Sequence, residues 1–295
     1  MKKQLLLPLA AVAGGAAAFA LRLLQNRTGF ELGTGLPIPG NLPGIALAAL
    51  LAALGVVLAA LAGHLPKESA PGPAFPADFT TGDTRLLLLP VAGVFLLVLS
   101  GAADLFLGLG FLGQAMGDLL SAADPSGMTS VVVLTSGGGF SPRIHVLLGL
   151  LTLASAAGLA LCAAACRRAD PPRTVSGNWL LLMVANLVIR LVLTYRIDSV
   201  NPALAAYCVE LLALVFLTLA FYRLSSFAFQ AGQTRRFALY TGAAAVLSLA
   251  SLADSGPAVS SLLLYTGSTA YLLGLLALRL LAPAAEPGPE DQGNG

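Results

Sequence analysis

Charged residues are scarce in this 295-residue sequence, at 10% of the chain, whereas soluble globular domains carry about 25%. Hydrophobic residues make up 57%, and the mean hydropathy is +0.85. A net charge of +2, with no basic patch of interleaved aromatic residues, argues against nucleic-acid binding. We therefore expect a protein of the lipid bilayer, in the cell (cytoplasmic) membrane.

Lysine, histidine and cysteine are also rare, and their positions exclude several chemistries. Lysine occurs only at positions 2, 3 and 67, outside the long apolar runs, so no lysine can hold a retinal-like chromophore inside a helix bundle. His64 and His145 are predicted at opposite faces of the membrane, which excludes a two-histidine metal site. The three cysteines lie in apolar runs and do not form a disulfide framework.

Signatures of nucleotide binding and of catalysis are weak or absent. The stretch GLGFLG, residues 108–113, has the glycine spacing of a dinucleotide fingerprint. It lies in an apolar run with no preceding strand, so it indicates close helix packing instead. The sequence contains no P-loop, and no nucleophile, base and orienting group fall at one depth. We expect no enzyme activity, no cofactor and no metal.

Long apolar runs dominate the sequence instead. A helix that crosses a bilayer needs about 20 mostly apolar residues. Eight runs reach roughly that length: 4–24, 42–64, 86–112, 143–166, 178–197, 202–223, 236–254 and 258–281. Clusters of glycine and proline separate several of them. We predict an all-α fold, a polytopic bundle of about eight transmembrane helices in a single domain, 1–282, followed by a disordered acidic cytoplasmic tail, 283–295.

The predicted orientation depends on the distribution of basic residues, and the predicted number of helices depends on whether the first apolar run is retained. With eight spans, eleven basic residues fall on the side of the two termini and five on the other. Positive charge concentrates on the cytoplasmic side, which places both termini in the cytoplasm. The first run also has the pattern of a cleaved signal peptide. We favour an uncleaved helix, because apolar residues continue to Leu24. The outward loop 113–142 is long enough for a lid, a hairpin or a re-entrant segment.

Three charged residues interrupt the apolar runs. Arg190 and Glu210 flank a short turn centred on residue 200, so in an antiparallel hairpin they lie at matching depth. That depth is roughly 11 to 12 Å from the helix end. Asp104 is predicted at the same level in the third helix. A charge at the bilayer centre costs about 2.5 to 3.5 kcal/mol, so such residues face the bundle interior and pair.

Helical spacing adds polar residues to the same faces. Asn186 lies one turn from Arg190, and Tyr207 lies one turn from Glu210. We predict a ligand- or ion-binding site formed by Asp104, Arg190, Glu210, Asn186 and Tyr207. A structural ion pair that fixes helix register is the alternative interpretation.

These residues lead to two functional expectations. The first is a small transporter or solute-binding membrane subunit, in which Arg190 holds an anionic group or acts as a counter-ion and a carboxylate takes a proton or cation. The second is a non-catalytic scaffold, sensor or accessory subunit. The expected partners are the lipid bilayer and, further, a membrane subunit or an ATPase. The stretch GFELGTGLPIPG, residues 29–40, with the alanine and leucine content, resembles uncharacterised small multi-pass membrane proteins of Gram-positive anaerobic bacteria, a resemblance that implies no particular activity.

Overall fold

The computed structural model describes most of the chain as α-helix. The described residues are 5–31, 36–65, 75–76, 79–122, 141–167, 176–198, 204–254 and 258–281, with the backbone alone described at 111–122, 198 and 204–206. The eight helices of these ranges are α1 (Leu6–Thr28), α2 (Leu42–Gly63), α3 (Leu88–Ala122), α4 (Pro142–Ala165), α5 (Asn178–Asp198), α6 (Leu204–Ala228), α7 (Thr234–Ser251) and α8 (Val259–Leu281). No β-strand occurs in them, so the predicted all-α class is confirmed.

Seven of these helices are long and apolar enough to cross a membrane. The exception is α7, which has 18 residues and carries Arg235 and Arg236 in its first turn. Small residues follow these arginines, and α7 packs against α1, α2, α6 and α8. The chain therefore has the architecture of a multi-pass membrane protein in which neighbouring helices shield the least apolar one.

The helix boundaries differ from the predicted ones mainly at two carboxyl ends. The third helix continues to Ala122, so the prediction of a loop from residue 113 is wrong for 113–122. Gln, Ala, Met and Leu in that stretch favour helix once it has started. The sixth helix continues to Ala228 and stops just before Gln230, whose φ of 57° is left-handed. The rest of the predicted outward loop and the predicted tail lie outside the described residues.

Six helices close a ring, and two lie beside it. Each helix from α3 to α8 packs against the next, and α8 packs against α3; α1 and α2 pack on each other and on α7. Neighbours in the ring are antiparallel. Arg22 near the end of α1 pairs with Asp254, just after the end of α7. Arg279 near the end of α8 donates to Oγ1 of Thr234, the first residue of α7, at 3.0 Å. The start of α1 and the end of α8 therefore share one end of the bundle, the Arg279 end; we call the opposite end the Arg22 end.

Glycines let α3 approach both of its neighbours closely. A Cβ atom at Gly101 would lie 3.1 Å from the carbonyl oxygen of Gly149 on α4. At Gly108 it would lie 2.9 Å from the carbonyl oxygen of Pro142. On the other side, a Cβ at Gly93 would lie 2.7 Å from the carbonyl oxygen of Gly267 on α8. The packing role predicted for Gly108 is therefore what the structure shows, and α3 is fixed in the wall of the ring.

Four phenylalanines close the Arg279 end. Phe79 is fully buried, and its ring lies 5.2 Å from the ring of Phe227 and 6.2 Å from that of Phe237. Phe75 packs on Phe79, with ring centroids 5.5 Å apart. The Thr81 amide donates to the Cys166 carbonyl at 3.0 Å, which ties this connection to α4. Phe75 and Phe79, before α3, thus form a packed aromatic cap with Phe227 of α6 and Phe237 of α7. The polar groups described below lie toward the opposite end.

Candidate functional site

A buried carboxylate is the centre of the polar interior. Asp104 on α3 is completely buried, and one of its oxygens forms an ion pair with the Arg190 guanidinium of α5. Its other oxygen lies 3.3 Å from His145 Nδ1 on α4, where a protonated Nδ1 donates to it. Arg190 is 4% exposed and His145 1% exposed. One carboxylate therefore joins three helices of the ring through an arginine and a histidine.

Two further residues extend this cluster toward the middle of the bundle. The Asn186 amide donates to Thr152 Oγ1 at 3.2 Å, and the Arg190 guanidinium reaches the same oxygen at 3.3 Å. Asn186 and Thr152 are completely buried. We call the group of Asp104, His145, Thr152, Asn186 and Arg190 the Asp104 centre.

Some polar atoms of Asn186 and Arg190 are buried without a hydrogen-bond partner in the described part of the chain. They are Asn186 Oδ1, an acceptor, and Arg190 Nε, a donor. An unsatisfied buried polar group costs about 1 to 3 kcal/mol. The centre therefore combines a buried ion pair with polar atoms that the described residues leave without a hydrogen bond.

The other two predicted site residues, Glu210 and Tyr207, have different contacts. Glu210 on α6 accepts a hydrogen bond of 2.7 Å from the hydroxyl of Tyr265 on α8. Tyr207, one turn earlier, is half-buried, and no hydrogen bond of the described residues joins it to the Asp104 centre. Of the five predicted residues, Asp104, Arg190 and Asn186 are therefore brought together, and Glu210 links α6 to α8 through Tyr265.

Sequence reasoning did not select His145 or Thr152. His145 was predicted near the membrane surface, because it lies close to the start of α4. The structure shows α3 running past that start, with Gly108 facing Pro142, so Asp104 lies level with the first turn of α4. The GxxxxxxG spacing of Gly101 and Gly108 was the available signal, since close packing of these glycines on α4 sets the register of the two helices.

A second ion pair lies at the Arg22 end. Arg22 on α1 is 1% exposed, and its Nε lies 2.5 Å from Asp254 Oδ1, just after α7. Asn26 donates to the Ala253 carbonyl at 2.8 Å. Burial raises the pKa of the Asp254 carboxyl above its ordinary value, while the Arg22 guanidinium lowers it in part. This contact anchors α1 to the ring.

The Arg22 contact leads to a prediction about stability and pH. Replacing Arg22 with Gln leaves the Asp254 carboxylate buried without its cation, so we expect a loss of about 2 to 3 kcal/mol in the free energy of unfolding at pH 7.5. The loss should shrink as the pH falls, because a protonated Asp254 no longer needs the guanidinium. Equilibrium unfolding in mixed micelles at pH 7.5 and pH 5 measures both effects.

Arg27, an exposed residue in the last turn of the same helix, supplies the control for this prediction. The Arg27→Gln variant removes the same charge and should change stability by less than about 0.5 kcal/mol. Equal losses for Arg22→Gln and Arg27→Gln would contradict a specific role of the Arg22 contact.

The fold and the interior together define a class of protein. This is a multi-pass helix-bundle membrane protein with a buried, charged centre inside a ring of six helices. No protein-family model, no curated protein and no solved structure matches the chain. Its function must therefore be argued from the Asp104 centre itself.

Proposed function

We propose that the protein is a small transporter, or the solute-binding subunit of one, in the cell membrane. In this proposal all eight helices cross the bilayer, α7 included, and the Arg279 end with both termini lies in the cytoplasm. The arginines at the Arg279 end support this orientation, because positive charge concentrates on the cytoplasmic side. The role is non-catalytic, and the proposed partners are the bilayer lipids and a further membrane subunit or an ATPase.

The Asp104 centre is the observation that carries this proposal. Ionisable residues inside membrane bundles line ion, proton and substrate paths, and carboxylate–histidine pairs serve as proton relays. Asp104 sits between such a histidine and an arginine, so a proton or cation that reaches it competes directly with Arg190. Displaced from Asp104, the guanidinium becomes available to an anionic group. Asn186 Oδ1 and Arg190 Nε offer the entering solute hydrogen bonds that the described residues do not already use.

The bundle also suggests how access is controlled. The aromatic cap closes the Arg279 end, while the Asp104 centre lies toward the Arg22 end, near the start of α4. A solute would therefore enter from the Arg22 end and leave only when the cap and the helices around it rearrange. Glu210 and Tyr265, in the second turns of α6 and α8, are proposed to contribute a second carboxylate on this route.

Reconstituted vesicles test the proposal. Purified protein is incorporated into liposomes that contain a pH-sensitive dye, and a potassium diffusion potential is imposed. We expect the wild type to acidify the lumen and His145→Gln to slow this flux by at least about tenfold, as expected for loss of a positioned acid–base group. The matched control is His64→Gln, because His64 is the other histidine and lies at the far end of α2.

A structural role is the second candidate, and one observation favours it. Asp104 is neutralised by Arg190 directly, and the pair links α3 to α5 with almost no exposure. A scaffold, sensor or accessory subunit would use this pair to fix helix register, as buried polar groups do in other bundles. Absence of flux in the wild type, with a folded protein in the vesicles, would contradict proton-coupled transport and leave the scaffold as the explanation.

A further inference from the structure

One arginine inside a membrane-spanning helix has no acidic partner in the described structure. Arg223 lies on α6, five residues before the end of the helix at Ala228, which is roughly 7.5 Å along the axis. No acidic residue occurs between Glu210 and Asp254 in the sequence. Arg223 Nε is buried, and no hydrogen-bond partner for it is found among the described residues. A charge placed this way needs a counter-charge from elsewhere.

Two tyrosines hold the Arg223 side chain. The guanidinium carbon lies 5.6 Å from the ring centroid of Tyr222 and 5.7 Å from that of Tyr240 on α7. Both distances are within the range of cation–π contacts. Stacking on rings uses the faces of a guanidinium and leaves its N–H edge free, and that edge matches the oxygens of a phosphate group. The two tyrosine rings therefore hold the Arg223 guanidinium in place, and its counter-charge has to come from a bound anion.

A second arginine lies on the same face of α7. Arg236 is exposed and is four residues before Tyr240, so the two side chains are neighbours on the helix surface. Tyr222 is 50% exposed, which places the whole group at the surface of the bundle. Arg235, by contrast, is directed toward α2: a Cβ at Gly63 would lie 3.3 Å from its guanidinium.

We propose that Arg223, Tyr222, Tyr240 and Arg236 form a binding site for the phosphate group of an anionic phospholipid. The site lies where a membrane protein meets lipid headgroups, and tyrosines concentrate at that level. Basic pockets between membrane helices bind such headgroups. An arginine near a helix end can reach the phosphate layer while its stem stays in the apolar region. This site is at the Arg279 end and is independent of the Asp104 centre.

Lipid binding to the purified, delipidated protein tests the proposal. Native mass spectrometry is used to titrate phosphatidylglycerol and phosphatidylcholine against the wild type and the variants. We expect the wild type to prefer phosphatidylglycerol, and Arg223→Gln to weaken that binding by about tenfold, as expected for loss of a charge-assisted phosphate contact. Arg236→Gln, at an exposed position, should weaken it less, and Arg235→Gln, which removes the same charge, should leave it unchanged.

Three results would overturn the proposal. The first is equal binding by Arg223→Gln and Arg235→Gln, which would reduce the effect to general surface charge. The second is displacement of the lipid by inorganic phosphate at the same concentration, which would make the ligand a soluble anion. The third is phosphatidylglycerol binding that is unchanged both in Arg223→Gln and in Arg236→Gln. If Arg223→Gln does not fold, Arg223→Lys and Arg236→Gln replace it, with weakened phosphatidylglycerol binding expected in both.

Discussion

Replacing Asp104 with Asn is expected to destabilise the bundle more than any other single charge removal in the chain. The substitution keeps the size of the side chain but leaves the Arg190 guanidinium, 4% exposed, without the carboxylate that pairs with it. Breaking a buried ion pair from one side costs about 3 to 5 kcal/mol. Equilibrium unfolding in mixed micelles measures the change, and the buried thiols of Cys162 and Cys166 report unfolding by their reaction with a thiol-specific dye.

Replacing Arg190 with Gln should destabilise the protein less than Asp104→Asn. The difference between the two losses measures how much His145 contributes to holding the Asp104 carboxylate. In Arg190→Gln the Asp104 carboxylate keeps a hydrogen-bond partner, because His145 Nδ1 lies 3.3 Å from its other oxygen. In Asp104→Asn no other carboxylate pairs with Arg190 in the described part of the chain. We therefore expect Arg190→Gln to cost about half as much as Asp104→Asn. Equal costs would show that His145 does not share the carboxylate.

The double variant Asp104→Asn with Arg190→Gln separates packing from function. Removing both charges avoids an uncompensated ion, so the double variant should recover most of the stability lost in Asp104→Asn. If the Asp104 centre serves transport, the recovered protein still shows no flux in vesicles. A double variant that is stable and also retains wild-type flux would contradict the proposed function while leaving the structural interaction intact.

Hydropathy was sufficient to predict the helices, because the cost of exposing backbone groups to lipid leaves few alternatives to helix in long apolar runs. The eight predicted segments correspond one to one with α1 to α8. Boundaries were less predictable, since α3 and α6 continue where the sequence turns polar. The residues that follow the apolar stretch still favour helix, and a hydropathy profile does not detect this preference.

Depth and direction explain which parts of the site were predictable. Counting residues from a turn gives the depth of a side chain, and that placed Arg190 and Asp104 at one level. Depth does not give the direction around the helix axis, which changes by about 100° per residue. Glu210 shares the level but faces Tyr265 on α8. The Arg22–Asp254 pair joins residues 232 positions apart, and no periodicity in the sequence connects them.

Replacing Gly93 with Ala is the second large effect that the structure predicts. A Cβ there would lie 2.6 Å from the backbone nitrogen of Tyr271 and 2.7 Å from the carbonyl oxygen of Gly267, and neither atom can move without shifting α8. Overpacking of this kind typically costs about 1 to 3 kcal/mol, and contact with backbone rather than flexible side chain favours the upper end. A shift of α8 would also strain the hydrogen bond from the Tyr271 hydroxyl to the Leu159 carbonyl.

Gly55 on α2 is the matched control for Gly93, because a Cβ there would meet nothing within 4 Å. Alanine favours helix over glycine by about 0.8 to 1.0 kcal/mol in water, so Gly55→Ala should leave the thermal midpoint unchanged or raise it. Thiol-dye unfolding of the two variants in the same detergent gives the comparison. A Gly93→Ala protein as stable as Gly55→Ala would mean that α3 and α8 are not in backbone contact. The ring of six helices around the Asp104 centre would then not be closed, because the contact between α3 and α8 is the one that completes it.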